Sequence, residues 1–207
     1  MINIINYGLG NIRAFYNIYH SLNIPVRVAS SPSDLFGSTA LILPGVGSFD
    51  WAMNRLNSSG MRPLLDELVL KRNLPVLGIC VGMQIMANSS EEGKLAGLGW
   101  IDAEVKSMKS FSLKRNAFTL PLPHMGWNNV TSTKTHQLFN NLDHMRFYFL
   151  HSFYFKPSDP SVIIGTTDYG NKFTSAINKR NIIGVQFHPE KSHNYGMALL
   201  SNFSFIS

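Results

Sequence analysis

Short apolar runs that alternate with helix-like stretches constrain the fold of this chain most. Ile2–Asn6, Val26–Ala29, Ala40–Leu43 and Val76–Ile79 are rich in isoleucine, leucine and valine and too short for helices. After the first run, Ile12, Phe15, Tyr16, Tyr19 and Leu22 recur at helical spacing and are expected to line one face. Ser31–Leu35 reads as a short capped helix, and helical sequence fills about Phe49–Leu56 and Met61–Lys71. Apolar strands joined through helices imply an α/β fold with a largely parallel sheet covered on both faces. In such sheets functional groups gather beyond the carboxyl ends of the strands, where Pro44–Gly47 and Cys80 both fall.

The second half changes character. From Trp100 to about Tyr154 the segments are shorter, richer in aromatics and broken by turns. Ser107–Thr119 lacks periodicity and reads as a loop or a hairpin. Phe147–Leu150, Val162–Thr166, Thr174–Ile177 and Ile182–Phe187 are strand candidates, followed by a final helix over about Asn194–Phe203. Without a repeat or a low-complexity linker, one domain over residues 1–207 is the expectation.

Composition narrows the class. No stretch approaches the length of a membrane span, and Met1–Asn6 lacks the basic and apolar regions of a signal peptide. Cys80 is the sole cysteine, which rules out an internal disulfide and argues against a cysteine zinc site. No metal or cofactor is expected, and a cytoplasmic location is the natural reading. The formal charge of +6 comes from scattered residues, with Lys114-Arg115 and Lys179-Arg180 only pairs. A solvated basic surface fits this better than nucleic-acid binding.

Gly78-Ile79-Cys80-Val81-Gly82 carries the chemistry. It has the G-x-nucleophile-x-G spacing of a strand-to-helix elbow, where the flanking glycines avoid collision with the turning backbone. A helix continuing through Met83–Met86 would aim its N–H groups and dipole at the thiol. Taken alone, Cys80 could equally be a small filler at the end of a core strand.

Phe187-His188-Pro189-Glu190-Lys191-Ser192 is the second informative stretch. His188 could serve a thiol as base, and Glu190 could orient its imidazole across a turn stiffened by proline. Alone, the tripeptide also suits an ordinary surface turn.

In combination, Pro44–Gly47, Gly78–Gln84 and Gly184–Glu190 resemble the triad-type (class I) glutamine amidotransferases. Tyr7–Ile12, Ser89–Gly93, Pro123–Asn128 and His188–Ser192 extend the resemblance, over almost the whole chain, to the glutaminase-subunit branch of the imidazole glycerol phosphate synthases. The fold this implies is flavodoxin-like, with a smaller antiparallel sheet region beside the central sheet. The activity it implies is hydrolysis of L-glutamine, with ammonia delivered to a separate cyclase (β/α)8-barrel in a heterodimer that serves histidine biosynthesis.

Residue by residue, the resemblance makes Cys80 the nucleophile, His188 the general base and acid, and Glu190 its orienting partner. Val81 and the Gly45-Val46-Gly47 loop are expected to supply the oxyanion donors, with glycines that let a peptide reorient. Gly45, Gln84, His151 and Ser152 are expected to hold glutamine, and Asn11, Trp127 and Lys191 to face the barrel partner. Gly97–Ile101 and Ser192–Met197 are similar to a paralogous branch that feeds amidino-sugar formation on bacterial surfaces. A related α/β cysteine hydrolase or peptidase, and a non-catalytic basic binding protein, are the readings from other classes.

Overall fold

The fold is described from a computed structural model, which covers residues 1–111, 114–115 and 118–206. The first half alternates as the sequence predicts: β1 (Ile2–Ile5), α1 (Ile12–Ser21), β2 (Val26–Ala29), β3 (Ala40–Gly45), α2 (Phe49–Ser58), α3 (Arg62–Asp66), β4 (Val76–Cys80) and α4 (Val81–Gln84). Every residue of β1, β3 and β4 is buried. The capped turn after β2 is a 3₁₀ helix, Pro32–Leu35, closed by a Ser31–Asp34 capping box.

The second half supplies β5 (Ala103–Ser107), β6 (His124–Asn129), β7 (Arg146–His151), β8 (Phe153–Pro157), β9 (Ile163–Tyr169), β10 (Asn171–Lys179), β11 (Ile182–Val185) and α5 (His193–Phe203). The central sheet has eight strands. Strands β11, β4, β3, β1 and β2 run parallel in that spatial order. β10, β9 and Thr131–Ser132 then extend it antiparallel beyond β11. The sheet is thus mixed, with its parallel half holding the elbow.

From β1 the chain crosses outward to β2, and from β3 it crosses the opposite way to β4. Right-handed crossovers therefore put α1 and the α2–α3 segment on opposite faces. α5 packs with α1, while α4 lies over β3, β4 and β11 with α2 beside it.

The smaller sheets are only partly antiparallel. β6 pairs antiparallel with β7, and β8 antiparallel with β5, whereas Ser89–Ser90 joins β5 in parallel. Within Ser107–Thr119, Met108–Ser110 is a 3₁₀ turn and Lys114–Arg115 pairs antiparallel with Phe118–Thr119. The remainder of that predicted loop or hairpin, residues 112–113 and 116–117, lies outside the described residues.

One helix-face expectation needs correction. α1 buries Phe15 and Tyr19, but Tyr16 stands exposed and stacks on His20. Tyr16 sits at the edge of the apolar stripe, one helical step from Phe15, where the sheet no longer covers it.

Candidate active site

Cys80 closes β4 with φ 54° and ψ −114°. Such a backbone costs a non-glycine residue about 1–3 kcal/mol and persists only where the surroundings enforce it. Here the enforcement is steric. A Cβ on Gly78 would stand 2.6 Å from Met86 Cε and 2.8 Å from Gly82 O, and one on Gly82 would stand 1.9 Å from Leu43 O. β3 presses in from the side: Gly45 is in register with Cys80, and a Cβ there would lie 2.3 Å from Gly82 N. The glycines at 45, 78 and 82 are thus what allows Cys80 to sit in a dense turn.

The helix after the elbow is shorter than predicted. α4 ends at Gln84, and the next amides bond back tightly, Met86 N–H to Met83 O and Ala87 N–H to Gln84 O. A single turn carries only a small dipole, so stabilisation of charge at the sulfur must come largely from individual donors.

His188 is fixed by its neighbours. Its N–H donates to Tyr148 O at 2.8 Å, its carbonyl accepts from the Ser192 hydroxyl at 2.6 Å, and that hydroxyl accepts from Tyr148 N–H at 3.0 Å. Nδ1 of His188 lies 2.9 Å from Glu190 Oε1, and both side chains are buried. Among the described residues Glu190 Oε2 is buried without a hydrogen-bond partner, so no other donor there dissipates the carboxylate charge beside the imidazole. Burial opposes protonation of His188, but the Cys80 charge, the hydrogen bonds to Cys80 and Glu190, and the Glu190 charge outweigh it. Together they raise its pKa from 6.5 to about 10. Thiol, imidazole and carboxylate form one connected series.

The series opens into a cavity of about 290 Å³. Val46, Gly47, Cys80, Val81, Gln84, His151 and Ser152 all line it. Gly45 lies beneath, at the end of β3. Gly47 has φ 86°, accessible to glycine without strain.

His151 is one of two buried histidines whose tautomers the network dictates. Its Nδ1–H can only donate to Phe153 O, at 2.8 Å, so its Nε2 accepts from His124 Nδ1–H at 3.0 Å. Nε2 of His124 in turn accepts from Asn128 Nδ2–H at 3.2 Å. Burial, reinforced by His124 and His188, lowers the His151 pKa to about 3, and burial lowers that of His124 to about 4. Both are neutral struts for the cavity wall.

Two residues at the site, one on the cavity wall and one buried behind it, have no role assigned from the sequence. Glu92 lines the cavity as its sole carboxylate among the described lining residues, while its Oε2 accepts from Phe49 N–H at 2.8 Å. Gln186 is fully buried, with its amide Nε2 3.7 Å from Cys80 Sγ. Both lie inside the motifs read from the sequence, Glu92 within Ser89–Gly93 and Gln186 within Gly184–Glu190.

The residues expected to face a partner divide. Trp127 stacks on His193 at 5.4 Å and meets the Tyr148 ring edge-on, and Lys191 Nζ lies 5.6 Å over that same ring. Asn11 is apart from them, exposed on the loop after β1, where its side chain caps α1 by accepting from Ala14 N–H at 3.3 Å.

The sequence model for "Glutamine amidotransferase class-I" matches residues 4–206. The chain belongs to the class-I glutamine amidotransferase family. This amidotransferase is 53% identical, over all of both chains, to the imidazole glycerol phosphate synthase subunit HisH of Bdellovibrio bacteriovorus. It is 48% identical, again over all of both chains, to the protein of that name from Leptospira borgpetersenii. Among solved structures, that of PurLQS from Thermotoga maritima aligns with a TM-score of 0.71 over 98% of this chain and 96% of that chain, at 15% identity. A glutamine amidotransferase from the same organism gives 0.63 over 91% and 75%, at 18% identity. Those two likenesses concern the amidotransferase fold alone. No helix among the described residues is long and apolar enough to cross a membrane.

Proposed function

We propose that this chain is the glutaminase subunit of an imidazole glycerol phosphate synthase, acting as one amidotransferase domain over residues 1–207. The observation that carries the reading is the Cys80–His188–Glu190 series, opening on a cavity, in a chain 53% identical end to end to such a subunit. Cys80 sulfur attacks the side-chain amide carbon of L-glutamine. The oxyanion formed is held by Val81 N–H and by the Gly45-Val46-Gly47 loop, and losing one such donor costs about 3–4 kcal/mol. His188 carries the proton from the thiol to the leaving nitrogen, and ammonia departs as the glutamyl thioester forms. It next takes a proton from water, which attacks the thioester and releases glutamate.

Charge decides how the substrate lies. Glu92 is the carboxylate available to its α-ammonium, and Gln84, whose amide protons are both engaged, adds an acceptor oxygen. The backbone at His151-Ser152 supports the other end.

Ammonia passes to a separate cyclase (β/α)8-barrel, with which the chain forms a cytoplasmic heterodimer. β6 and β7 support this by the side chains they turn outward. Met125 and Leu150 are paired across the strands and 65% and 37% exposed, next to Trp127 and Tyr148. An apolar face of this kind beside a catalytic cavity suits a protein partner. Lys191 borders it, and Asn11 faces the partner from the loop after β1.

The decisive experiment supplies this chain to a bacterium that lacks its own glutaminase subunit and needs histidine, together with the cognate barrel. Growth is expected with the native chain and absent with Cys80→Ala. Glutamine hydrolysis without growth would move the acceptor to the amidino-sugar branch, and hydrolysis by Cys80→Ala would remove Cys80 as nucleophile.

A further inference from the structure

We infer that Gln186 is a further catalytic residue, whose side-chain amide, aimed by Gln84, donates a hydrogen bond to the Cys80 sulfur. The inference rests on the reading of Cys80 as nucleophile.

The direction of each amide follows from its partners. Phe153 O can only accept, so the atom of Gln84 that lies 3.1 Å from it is the amide nitrogen. That same nitrogen lies 2.9 Å from the Gln186 side chain and so faces its oxygen, Oε1. Gln186 is then left with Nε2 toward Cys80, 3.7 Å from Sγ. Flipping either amide would set two acceptors or two donors against each other at contacts buried from solvent, with Gln186 fully buried and Gln84 exposed by only 3%. The chain Phe153–Gln84–Gln186–Cys80 therefore ends in a donor fixed on the reacting atom.

That donor answers a need of this fold. α4 is one turn long, and His188 must give up its proton to the leaving nitrogen during the reaction. A neutral amide keeps its protons throughout, so Gln186 can bond the sulfur both as the thiolate that attacks and as the thiolate that leaves when the thioester is hydrolysed, whichever charge His188 carries. The same sulfur lies 4.0 Å from Leu150 O. Gln84 consequently has two duties, as lining for the substrate and as the group that orients Gln186.

The test uses the full chain and no glutamine, so its failure leaves the glutaminase reading standing. Cys80 is the sole cysteine, and iodoacetamide therefore reports on that sulfur alone. The rate of alkylation against pH is compared for the native chain, Gln186→Met, which keeps the volume, and Gln186→Glu, which keeps the acceptor for Gln84. Both variants are expected to move the alkylation midpoint upward and to slow the reaction at neutral pH about tenfold, the scale of a hydrogen bond to a charged group. Midpoints equal to the native one in folded variants would overturn the proposal. Should neither variant fold, the assigned Gln186 side-chain N–H resonance of the native chain decides. It is expected to shift with the same midpoint as alkylation, and a resonance indifferent to that transition overturns the proposal.

Discussion

Glu190 Oε1 receives His188 Nδ1 at 2.9 Å inside a turn only two residues long, with both side chains buried. Pro189 holds the turn, and the first turn of α5 closes over it: a Cβ on Gly196 would stand 1.8 Å from Pro189 O. Orientation and charge therefore reach the imidazole from one rigid piece of chain. Glu190→Gln retains an oxygen for Nδ1–H and removes the charge. Since Glu190 is one of the groups raising the His188 pKa, that pKa is expected to fall, and the alkaline limb of the rate profile to move to lower pH. Turnover should drop roughly 10²–10⁴-fold, by analogy with loss of the carboxylate from other triads. Steady-state glutamine hydrolysis from pH 6 to 10 checks both, and an unmoved alkaline limb would deny Glu190 its electrostatic part.

Gly82 is more demanding than its place two residues after Cys80 implies. The 1.9 Å approach of a Cβ to Leu43 O sets it against backbone in a central strand, which cannot swing aside. Gly82→Ala should destabilise the chain by about 3 kcal/mol, at the upper end for overpacking, and should also disturb Cys80. Urea unfolding and iodoacetamide reactivity measure the two effects. A stable variant with native reactivity would show that β3 and the elbow can separate.

The parallel half of the fold was legible because β1, β3 and β4 are buried on both faces and read as apolar runs, broken in β1 only by the buried Asn3. The elbow was legible because its steric demand falls on glycines at fixed spacing. β6 was not, and the reason is an inverted pattern: its polar His124 is buried at 2% exposure, while Met125 and Trp127 point out at 65% and 38%. Alternation assigns such side chains to the wrong faces or to no strand at all. Gln186 was quoted within a motif and passed over, since its meaning lies in a direction given by Gln84 and Phe153, far away in sequence. Glu92 was passed over for a similar reason, because only the folded cavity reveals it as the one acid on the wall.

The neutral pair His124–His151 sets an acid limit on stability. With its pKa lowered to about 3 in the fold and near 6.5 unfolded, His151 binds its proton in the unfolded chain first as pH falls. Its contribution is complete above pH 6.5 and is lost progressively as pH drops from there towards 3, at about 1.4 kcal/mol per unit. His124 adds in the same direction with a folded pKa of about 4. Urea midpoints measured between pH 7.5 and 5 should fall accordingly, and His151→Gln should flatten the slope even if it lowers the whole curve. Parallel slopes in the two proteins would place the acid sensitivity elsewhere.

Glu92 offers the cleanest separation of binding from chemistry. It lies at the cavity wall, and burial followed by the charge of Asp50 raises its pKa against the lowering effect of the Phe49 N–H bond. Glu92→Gln keeps a carbonyl oxygen for Phe49, so the start of α2 stays capped, and removes the charge proposed to meet the substrate's ammonium. That ammonium is present equally in the ground state and the transition state, which makes the lost interaction one of uniform binding. KM for glutamine should rise roughly 10–100-fold, the scale of one charge-assisted hydrogen bond, with kcat nearly unchanged. Steady-state kinetics with the proposed barrel partner present makes the measurement. A fall in kcat at constant KM would instead assign Glu92 to the support of the Gly45–Gly47 loop through α2, and would leave the ammonium to Gln84.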